Sequence, residues 1–302
     1  MNIQWFPGHM HKASKDVRTI LPQVDVIIEI LDARIPFSSD NPMIARLRGD
    51  KPCIKLLNKS DLADAERTAL WQTFLEQERG VKTLAVSSKQ PEKLKQLPAL
   101  CKKLVPEKSA HNRLITALIM GIPNVGKSTT INLLAGRIVA KTGNEPAITK
   151  TQQRIDIGNN IILMDTPGLL WANLENENTG YRLAVTGAIR DTAIDHNDVA
   201  HFAAETLTAQ YPDLLKQRFQ LQELPKNAEE LLASIGKQRG CLKSGGIVDM
   251  DKAAKIFLNE YRTGNLGGIT LETPEIMLEE LAQLKILRAE KAEKKLTRQQ
   301  KK

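Results

Sequence analysis

Short apolar runs alternate with stretches of helical periodicity along the first half of the chain. The apolar runs cover residues 24–31, 52–57, 82–86, 114–120, 155–157 and 161–164. Helical periodicity occupies residues 63–79 and 128–134, and Gly158-Asn159-Asn160 is typical of a hairpin turn between the last two runs. Strands of this length that alternate with helices predict an α/β fold with a mostly parallel sheet.

The pattern changes in the second half of the chain. Residues 173–180 are rich in polar, turn-forming types, and from Tyr181 onward apolar residues recur at helical spacing without a convincing strand. The sequence therefore predicts two domains. Residues 1–177 would form the α/β domain, and residues 178–302 would form an all-α domain.

The last predicted helix has the clearest start signal. Thr273 is a suitable N-cap, and Pro274 fits the first turn of a helix, where its missing N–H costs nothing. Apolar residues then recur along one face of this helix: Ile276, Met277, Leu281, Leu284 and Leu287. We expect this face to pack against the rest of the protein.

A phosphate-binding loop follows the run at residues 114–120 and precedes a helix. Its sequence is GIPNVGKS, residues 121–128, which fits the pattern Gly-x-x-x-x-Gly-Lys-Ser. Backbone N–H groups at the start of the helix would bind the phosphates, Lys127 would neutralise the β- and γ-phosphates, and the Ser128 hydroxyl would bind Mg²⁺. The residues predicted to bind phosphate here are Asn124, Val125, Gly126, Lys127, Ser128 and Thr129.

A guanine-binding motif follows the run at residues 52–57. In Asn58-Lys59-Ser60-Asp61, the Asp61 carboxylate can accept from both N1–H and the exocyclic amine of guanine, a pair of donors that adenine does not offer. Asn58 can hold the other edge of the purine, and the stem of Lys59 can lie over its ring. A further base-contacting loop is predicted after the next strand, although the same residues also suit a surface turn: Ser87, Ser88 and Lys89.

A third motif, Asp-Thr-Pro-Gly at residues 165–168, ends the run at 161–164. Asp165 would hold Mg²⁺ through a water molecule, and the Gly168 N–H would contact the γ-phosphate. Upstream, Thr149 is the candidate for the switch threonine that completes the Mg²⁺ site. We therefore expect GTP or GDP together with Mg²⁺, with Ser128, Thr149 and Asp165 around the metal.

The order of the three motifs is unusual. An ordinary Ras-like domain has the phosphate loop first, the Mg²⁺ motif second and the guanine motif last. Here the guanine motif comes first, followed by the phosphate loop and then the Mg²⁺ motif. This order predicts a circularly permuted Ras-like P-loop GTPase domain followed by an all-α domain, with residues 91–112 as the connector that joins the ordinary termini.

The water-orienting glutamine of Ras-like GTPases is missing, since apolar residues 169–171 follow the Mg²⁺ motif. We expect slow intrinsic hydrolysis that needs help from another group. Asn124 is a candidate for holding K⁺ beside the phosphates, and His9 is a candidate catalytic residue together with Lys127, Thr149 and Gly168. An RNA-contacting role is an equal alternative for the residues of this N-terminal segment: His9, His11, Lys12, Lys15 and Arg18.

Charge and composition point to a polyanionic partner. The net charge is +8 with a pI near 9.3, and residues 284–302 carry eight Lys or Arg against two Glu. A solvated helix end is the alternative interpretation. Aromatic residues make up 4% of the chain, which disfavours binding of single strands by base stacking and favours contacts to the backbone of folded RNA.

The cysteines and the apolar segments indicate which cellular compartment suits the protein. The three cysteines lie far apart without a Cys-x-x-Cys pair, which disfavours a zinc ribbon or a disulfide framework and suits a reducing compartment. The N-terminus lacks the features of a signal peptide, and the apolar runs are shorter than a membrane span. We expect a cytoplasmic monomer without membrane association.

Four longer segments are distinctive: WFPGHM at 5–10, PAITKTQQ at 146–153, LAVTGAI at 183–189 and RGCLKSGG at 239–246. Together they resemble the ribosome biogenesis GTPase A family. The resemblance covers nearly the whole chain, and Ala147 departs from the glycine usual in the family. It implies GTP hydrolysis coupled to late maturation of the large (50S) ribosomal subunit, in bacteria or organelles. The implied partners are the subunit precursor and its rRNA, bound through a helical C-terminal domain.

Two other functions fit parts of the sequence. One is an RNA-binding scaffold with an inert nucleotide site, which the intact Asp61, Lys127, Ser128 and Asp165 disfavour. The other is an RNA-modifying GTPase with a catalytic domain of its own. No further catalytic constellation is evident in the sequence of residues 178–302, so we favour the assembly GTPase.

The candidate role of His9 gives a first prediction. His9→Ala should lower the GTP turnover that large ribosomal subunits stimulate, while nucleotide affinity stays close to wild type, because a catalytic imidazole acts on the water rather than on the bound nucleotide. Turnover assays with and without purified large subunits measure the effect. Full stimulation of the variant would instead assign His9 to RNA contact or to structure.

Overall fold

The computed structural model describes residues 17–140, 153–166 and 176–300, without the side chains of residue 292 and residues 294–300. Its strands are β1 (Val26–Asp32), β2 (Cys53–Asn58), β3 (Val81–Ala85), β4 (Ile115–Gly121), β5 (Gln153–Asp156) and β6 (Ile161–Asp165). They form one sheet in the order β3-β2-β1-β4-β6-β5. All neighbouring strands are parallel except β5, which is antiparallel to β6. The predicted mostly parallel sheet is confirmed.

The permuted connectivity is visible in the pairing of β1 with β4. Val26 pairs with Ala117 and Ile30 pairs with Gly121, so the strand that leads into the phosphate loop lies between β1 and β6. A strand from the start of the described chain thus sits at the centre of the sheet. The circularly permuted α/β fold predicted from the motif order is confirmed.

Every residue of β1 is buried, because this central strand is covered on both faces. Ile28 and Ile30 enter a large core that includes the connector residues Leu94 and Leu97. Ile27 points to a second core on the other side, formed with Val17 and other residues. Burial on both faces explains why β1 reads as a continuous apolar run rather than as an alternating pattern.

The helices of the first half surround this sheet. They are α1 (Pro36–Ser39), α2 (Pro42–Arg48), α3 (Ala65–Leu75), α4 (Leu97–Leu104), α5 (Pro106–Ala110) and α6 (Lys127–Ala135). A single turn of 3₁₀ helix occurs at Leu21–Gln23, and a longer 3₁₀ segment occurs at Pro91–Gln96. The helix predicted over 63–79 is shorter, because the Asp64 side chain caps it at Glu66 and Arg67 and the chain turns toward β3 after Leu75.

From residue 177 onward the regular secondary structure of the described chain is helical, apart from one isolated β-bridge between Leu242 and Val248. The helices are α7 (Glu177–Val185), α8 (His196–Gln210), α9 (Pro212–Phe219), α10 (Ala228–Gln238), α11 (Met250–Thr263) and α12 (Pro274–Gln300). Short 3₁₀ turns occur at Asp191–Ala193 and Ser244–Gly246. The buried core continues from the sheet into these helices, so the boundary at residue 178 stays a prediction about domain organisation.

Helix α12 begins as predicted. The Ile276 N–H donates to the Thr273 hydroxyl at 3.3 Å, and Pro274 occupies the first turn. The predicted apolar face is only partly confirmed, because Met277 is 8% exposed whereas Leu281 and Leu287 are 43% and 48% exposed. The helix extends away from the body after its first turns, so its later apolar residues lose their packing partners. No helix in the described ranges is both long and apolar enough to cross a bilayer.

A buried cluster of charges lies beside the first turn of α2. Glu29 on β1 is 1% exposed, and Lys55 on β2 lies 3.8 Å from it. Lys55 also forms an ion pair with Asp40, and the Asn41 N–H donates to Glu29 at 3.3 Å. Burial, together with the neighbouring Asp40, raises the pKa of Glu29 to about 8, against the attraction of Lys55.

The raised pKa of Glu29 makes stability depend on pH. Between about pH 4.5 and about pH 8 the unfolded chain releases this proton while the folded protein keeps it, so the stability that Glu29 contributes falls as pH rises. Glu29→Gln has no such proton to lose. The free energy of unfolding of Glu29→Gln, relative to that of wild type, should therefore rise by up to about 1.4 kcal/mol per pH unit as pH increases across this window. Urea unfolding at a series of pH values measures the difference.

Glu76→Gln is the matched control, at the residue that ends α3 beside β3. Burial tends to raise the pKa of Glu76, but hydrogen bonds from Thr83 and Lys82 outweigh it and lower the pKa. Its stabilisation is present above its ordinary pKa and is lost as pH falls, so the control should be less stable than wild type by a constant amount above about pH 4.5 and should approach wild type only in acid. A Glu29→Gln curve parallel to the wild-type curve would show that Glu29 is ionised in the fold.

Candidate nucleotide-binding site

The three nucleotide motifs meet at the carboxyl ends of neighbouring strands. In the sheet register, Asp32 pairs with Asn58, Ile30 with Gly121. On the other side of β4, Ile119 pairs with Asp165. Parallel strands place their carboxyl ends on one edge, and open α/β sheets bind ligands there. The fold therefore gathers the guanine motif, the phosphate loop and the Mg²⁺ motif at one edge of the sheet.

The phosphate loop reaches the start of α6 through two left-handed residues. Asn124 has φ +61° and Gly126 has φ +91°, and α6 begins at Lys127 directly after them. A Cβ at Gly126 would lie 2.3 Å from the Asn58 amide nitrogen. Only glycine fits both the backbone angle and the contact. The geometry leaves the first N–H groups of α6 unpaired within the helix and available to an anion.

The guanine motif is fastened to the phosphate loop. The Asn58 amide donates to the Val125 carbonyl at 2.6 Å, and the Lys59 ammonium donates to the Asn124 carbonyl at 2.7 Å. The role of Asn58 at the purine edge stays a prediction, and in the structure its amide nitrogen joins the two loops. Lys59 adopts a left-handed backbone conformation with φ +59°.

Asp61 is held by the loop predicted to contact the base. The Ser87 hydroxyl donates to Asp61 at 2.6 Å, and the Lys89 ammonium lies 3.0 Å from the same carboxylate. Burial tends to raise the pKa of Asp61, but Ser87 and Lys89 outweigh it and lower the pKa. Asp61 is therefore an ionised acceptor. Ser88 is exposed between its two neighbours.

The Mg²⁺ motif and the phosphate loop are joined by a buried ion pair. The Lys127 ammonium lies 2.5 Å from Asp165 Oδ1, and Asp165 is fully buried. Its other oxygen, Oδ2, has no hydrogen-bond donor within the described residues. Ser128 and Thr129 lie half-buried in the first turn of α6. An orphaned carboxylate oxygen beside the phosphate loop suits a hard cation such as Mg²⁺.

Three predicted site residues lie outside the described residues. They are His9, Thr149 and Gly168, and the alternative RNA contacts His11, Lys12 and Lys15 lie outside them as well. Of the predicted N-terminal contacts, Arg18 is described, and it is exposed.

Sequence reasoning missed two charged residues at this edge. Asp32 ends β1 beside Asn58, and Arg34 follows it; both are 2% exposed. Arg34 binds Asp32 through two hydrogen bonds of 2.9 and 2.7 Å. The signal was available, since an aspartate at the carboxyl end of a buried strand lies where the other motifs lie.

The phosphate loop also contacts the helical half of the chain. The Asn124 amide donates to the Gly187 carbonyl at 2.8 Å, just after α7. Arg262 on α11 donates to the carbonyls of Ala184 and Val185 and pairs with Asp191. A cavity of about 420 Å³ lies at this junction, bordered by Lys59 and Asn124 among others.

The two left-handed glycines that flank α6 allow a matched test of the loop. Gly126→Ala should weaken binding of GTP and GDP more than tenfold, because it forces Asn58 away and displaces the N–H groups, and one charge-assisted hydrogen bond is worth about 1.5–3 kcal/mol. Gly136 also has a positive φ, +64°, but a Cβ added there would meet open space. The control Gly136→Ala should cost about 1–2 kcal/mol of stability and leave affinity unchanged. Calorimetric titration and urea unfolding separate the two effects, and equal affinities would refute the assigned loop geometry.

Known proteins resemble this chain over most of its length. Residues 116–233 match a family described as 50S ribosome-binding GTPase. Ribosome biogenesis GTPase A of Priestia megaterium is 47% identical, covering 91% of this chain and 98% of its own. The protein of the same name from Thermotoga maritima is 31% identical, and the match covers 90% of this chain and 95% of that protein. Mouse mitochondrial ribosome-associated GTPase 1 is 32% identical over 89% and 90%.

Solved structures give the same result. The crystal structure of GNP-bound YlqF from T. maritima has a TM-score of 0.64 and 28% identity, covering 87% of this chain and 99% of that one. A GDP-bound YlqF structure has a TM-score of 0.61 and 27% identity. These relatives confirm the resemblance and set aside an inert nucleotide site. The chain is a guanine-nucleotide-binding GTP hydrolase of ribosome biogenesis, and it belongs to the ribosome biogenesis GTPase A family.

Proposed function

We propose that this GTPase drives late assembly of the large (50S) ribosomal subunit, binding the subunit precursor and its rRNA in a nucleotide-dependent way. It acts as a cytoplasmic monomer without membrane association. The observation that carries the proposal is a buried network joining the chain just after the Mg²⁺ motif to the C-terminal helix. The 50S-binding description of the matching family supports the choice of partner.

Guanine recognition is assigned to the loops after β2 and β3. Asp61, ionised and aligned by Ser87 and Lys89, accepts from the guanine N1–H and amine. Lys59 lies along the base, Asn58 locks the loop to the phosphate site, and Ser88 adds a polar contact at the rim. Phosphate binding is assigned to the loop and the first turn of α6: Asn124, Val125, Gly126, Lys127, Ser128 and Thr129.

Mg²⁺ suits the oxygen atoms of Asp165 and Ser128. The half-buried Ser128 hydroxyl would bind the ion, the Asp165 oxygen without a donor would hold it through a water molecule, and Thr149 and Gly168 would complete the site around the γ-phosphate. When bound, Mg²⁺ neutralises charge on the β- and γ-oxygens. Lys127, whose ammonium is paired with Asp165, would also bind the β- and γ-phosphates.

Hydrolysis requires a group that orients water, because apolar residues follow the Mg²⁺ motif in the sequence. His9 is the proposed catalytic residue, and Asn124 is the proposed ligand for K⁺ beside the phosphates. Asn124 is already anchored to Gly187 through its amide nitrogen, so its side chain has a fixed direction. Basal turnover is slow, and the ribosomal precursor supplies the stimulation.

Coupling to the C-terminal helix begins where the described chain resumes after the Mg²⁺ motif. The Asn176 and Asn178 amides donate to Glu280 on α12 at 2.5 and 3.0 Å. Arg182 on α7 binds Glu280 through two hydrogen bonds of 2.9 and 2.6 Å. A change in the segment that senses the γ-phosphate therefore pulls on α12 through buried charges, which resist separation more strongly than exposed pairs do.

The same network reaches back to the sheet domain. Glu272, fully buried before α12, accepts from the backbone N–H of Phe37 at 2.8 Å and of Ser38 at 3.1 Å, and it lies 3.4 Å from Arg182. The helix that carries the basic C-terminal residues is therefore clamped at its start to both halves of the protein. Its described basic residues Lys285, Arg288 and Lys291 are exposed, where rRNA phosphates could reach them.

Co-sedimentation with purified large ribosomal subunits tests the proposal. Binding should be tighter with a non-hydrolysable GTP analogue than with GDP, because only the former orders the γ-phosphate contacts that act on α12. Asp61→Asn should weaken GTP binding by about 2–4 kcal/mol, and at limiting nucleotide it should lose the preference. Equal co-sedimentation of wild type in both nucleotide states would contradict the proposed coupling, and unchanged GTP affinity of Asp61→Asn would contradict the guanine assignment.

A further inference from the structure

A buried aspartate stands behind the lysine of the guanine motif. Asp32 ends β1 with 2% of its surface exposed, and its Oδ2 accepts from the Lys59 ammonium at 2.8 Å. The same ammonium donates to the Asn124 carbonyl of the phosphate loop at 2.7 Å. Lys59 is thus held between one strand end and the phosphate loop.

Asp32 is itself fixed in direction. Arg34 donates from Nε to Oδ1 at 2.9 Å and from Nη2 to Oδ2 at 2.7 Å, and the Arg34 backbone N–H donates to Oδ1 at 3.1 Å. A bidentate guanidinium in a buried site leaves a carboxylate one orientation. Oδ2 is therefore aimed at Lys59 by a neighbour that cannot lose its charge.

Arg34 is held in turn by the helical half of the chain. Its guanidinium carbon lies 5.3 Å from the centre of the Tyr261 ring on α11, which is cation–π distance. Its Nη1 lies 3.5 Å from the Arg262 carbonyl, and its backbone carbonyl accepts from the Leu271 N–H at 2.8 Å. The chain of contacts runs from α11 through Arg34 and Asp32 to the lysine of the guanine motif.

The cost of holding Lys59 in place shows what Asp32 contributes. Lys59 has a left-handed backbone, and its side chain is 24% exposed. A lysine free of Asp32 would regain rotamer entropy and water by swinging outward. A lysine already in place gives up neither when the nucleotide binds, which is the general benefit of preorganisation.

We propose that Asp32 is a positioning residue of the nucleotide site, which preorganises Lys59 for the guanine base through a carboxylate that Arg34 keeps aligned. Asp32 does not touch the nucleotide; it acts through Lys59. The inference rests on the proposed function, in which the motif at residues 58–61 binds guanine. Because the base and its ribose are common to GTP and GDP, the contribution is the same for both nucleotides.

Asp32→Asn keeps the shape of the side chain and removes its charge. Calorimetric titration should show GTP and GDP affinities lowered by the same factor, roughly tenfold to hundredfold, as expected for a lost hydrogen bond between charged groups. The number of sites per folded chain should stay at the wild-type value. Lys59→Met should give a similar loss, and the double variant should be no weaker than Lys59→Met alone, because the two residues act as one unit.

Asp40→Asn is the matched control. Asp40 also pairs with a buried lysine of the sheet, Lys55, and no hydrogen bond or ion pair joins it to the described residues of the nucleotide motifs. This variant should change stability and leave both affinities at the wild-type value. If Asp32→Asn does not fold, the combination Asp32→Asn with Arg34→Met removes the buried ion pair as a unit, which proteins often tolerate. The affinity of this double variant for GTP and its affinity for GDP should fall by the same factor.

The outcomes separate this inference from the proposed function. If Asp61→Asn weakens nucleotide binding but Asp32→Asn changes only stability or the fraction of binding-competent protein, Asp32 is structural and the inference is wrong. Independent, additive losses in the double variant would overturn it as well, and so would a loss confined to GTP. If Asp61→Asn itself leaves GTP affinity unchanged, the guanine assignment fails, and the inference fails with it.

Discussion

The parallel pairing of β1 with β4 is the contact on which the site depends. It sets the guanine loop, carried by β2, beside the phosphate loop, carried by β4, although the two loops come from opposite sides of the permutation. The register fixes the distances between loops, so Asn58 and Lys59 can reach the carbonyls of Val125 and Asn124. Shifting that register would break both hydrogen bonds and the fit at Gly126 together.

Much of this arrangement could be predicted from the sequence. The motifs are short and chemically specific, each follows an apolar run, and strand ends in a parallel sheet meet at one edge, so the site followed from pattern alone. The apolar runs also gave the strands to within two residues or so. Local signals such as Thr273 and Pro274 located the start of α12, because capping depends on neighbours in sequence.

What sequence could not supply depends on contacts between distant segments. Nothing local shows that the Asn58 amide is used by the phosphate loop, or that Asp32 lies behind Lys59, because both contacts exist only after β1, β2 and β4 have paired. The packing of α12 is a similar case. Its apolar spacing continues past Leu281, but burial ends where the neighbouring elements end, and a helical pattern does not contain that information.

The permuted strand order also has a consequence for synthesis. The translating ribosome would release β1 and β2 long before β4. Val26 therefore cannot pair until Ala117 has been synthesised. At about 5–20 residues per second, that interval lasts roughly 5–18 s. Throughout it, one edge of the fully buried strand β1 is unpaired and open to other nascent chains. A protein of ribosome assembly is therefore itself exposed to cotranslational misfolding, and slow codons or early chaperone binding before residue 121 would affect its yield more than the same events later.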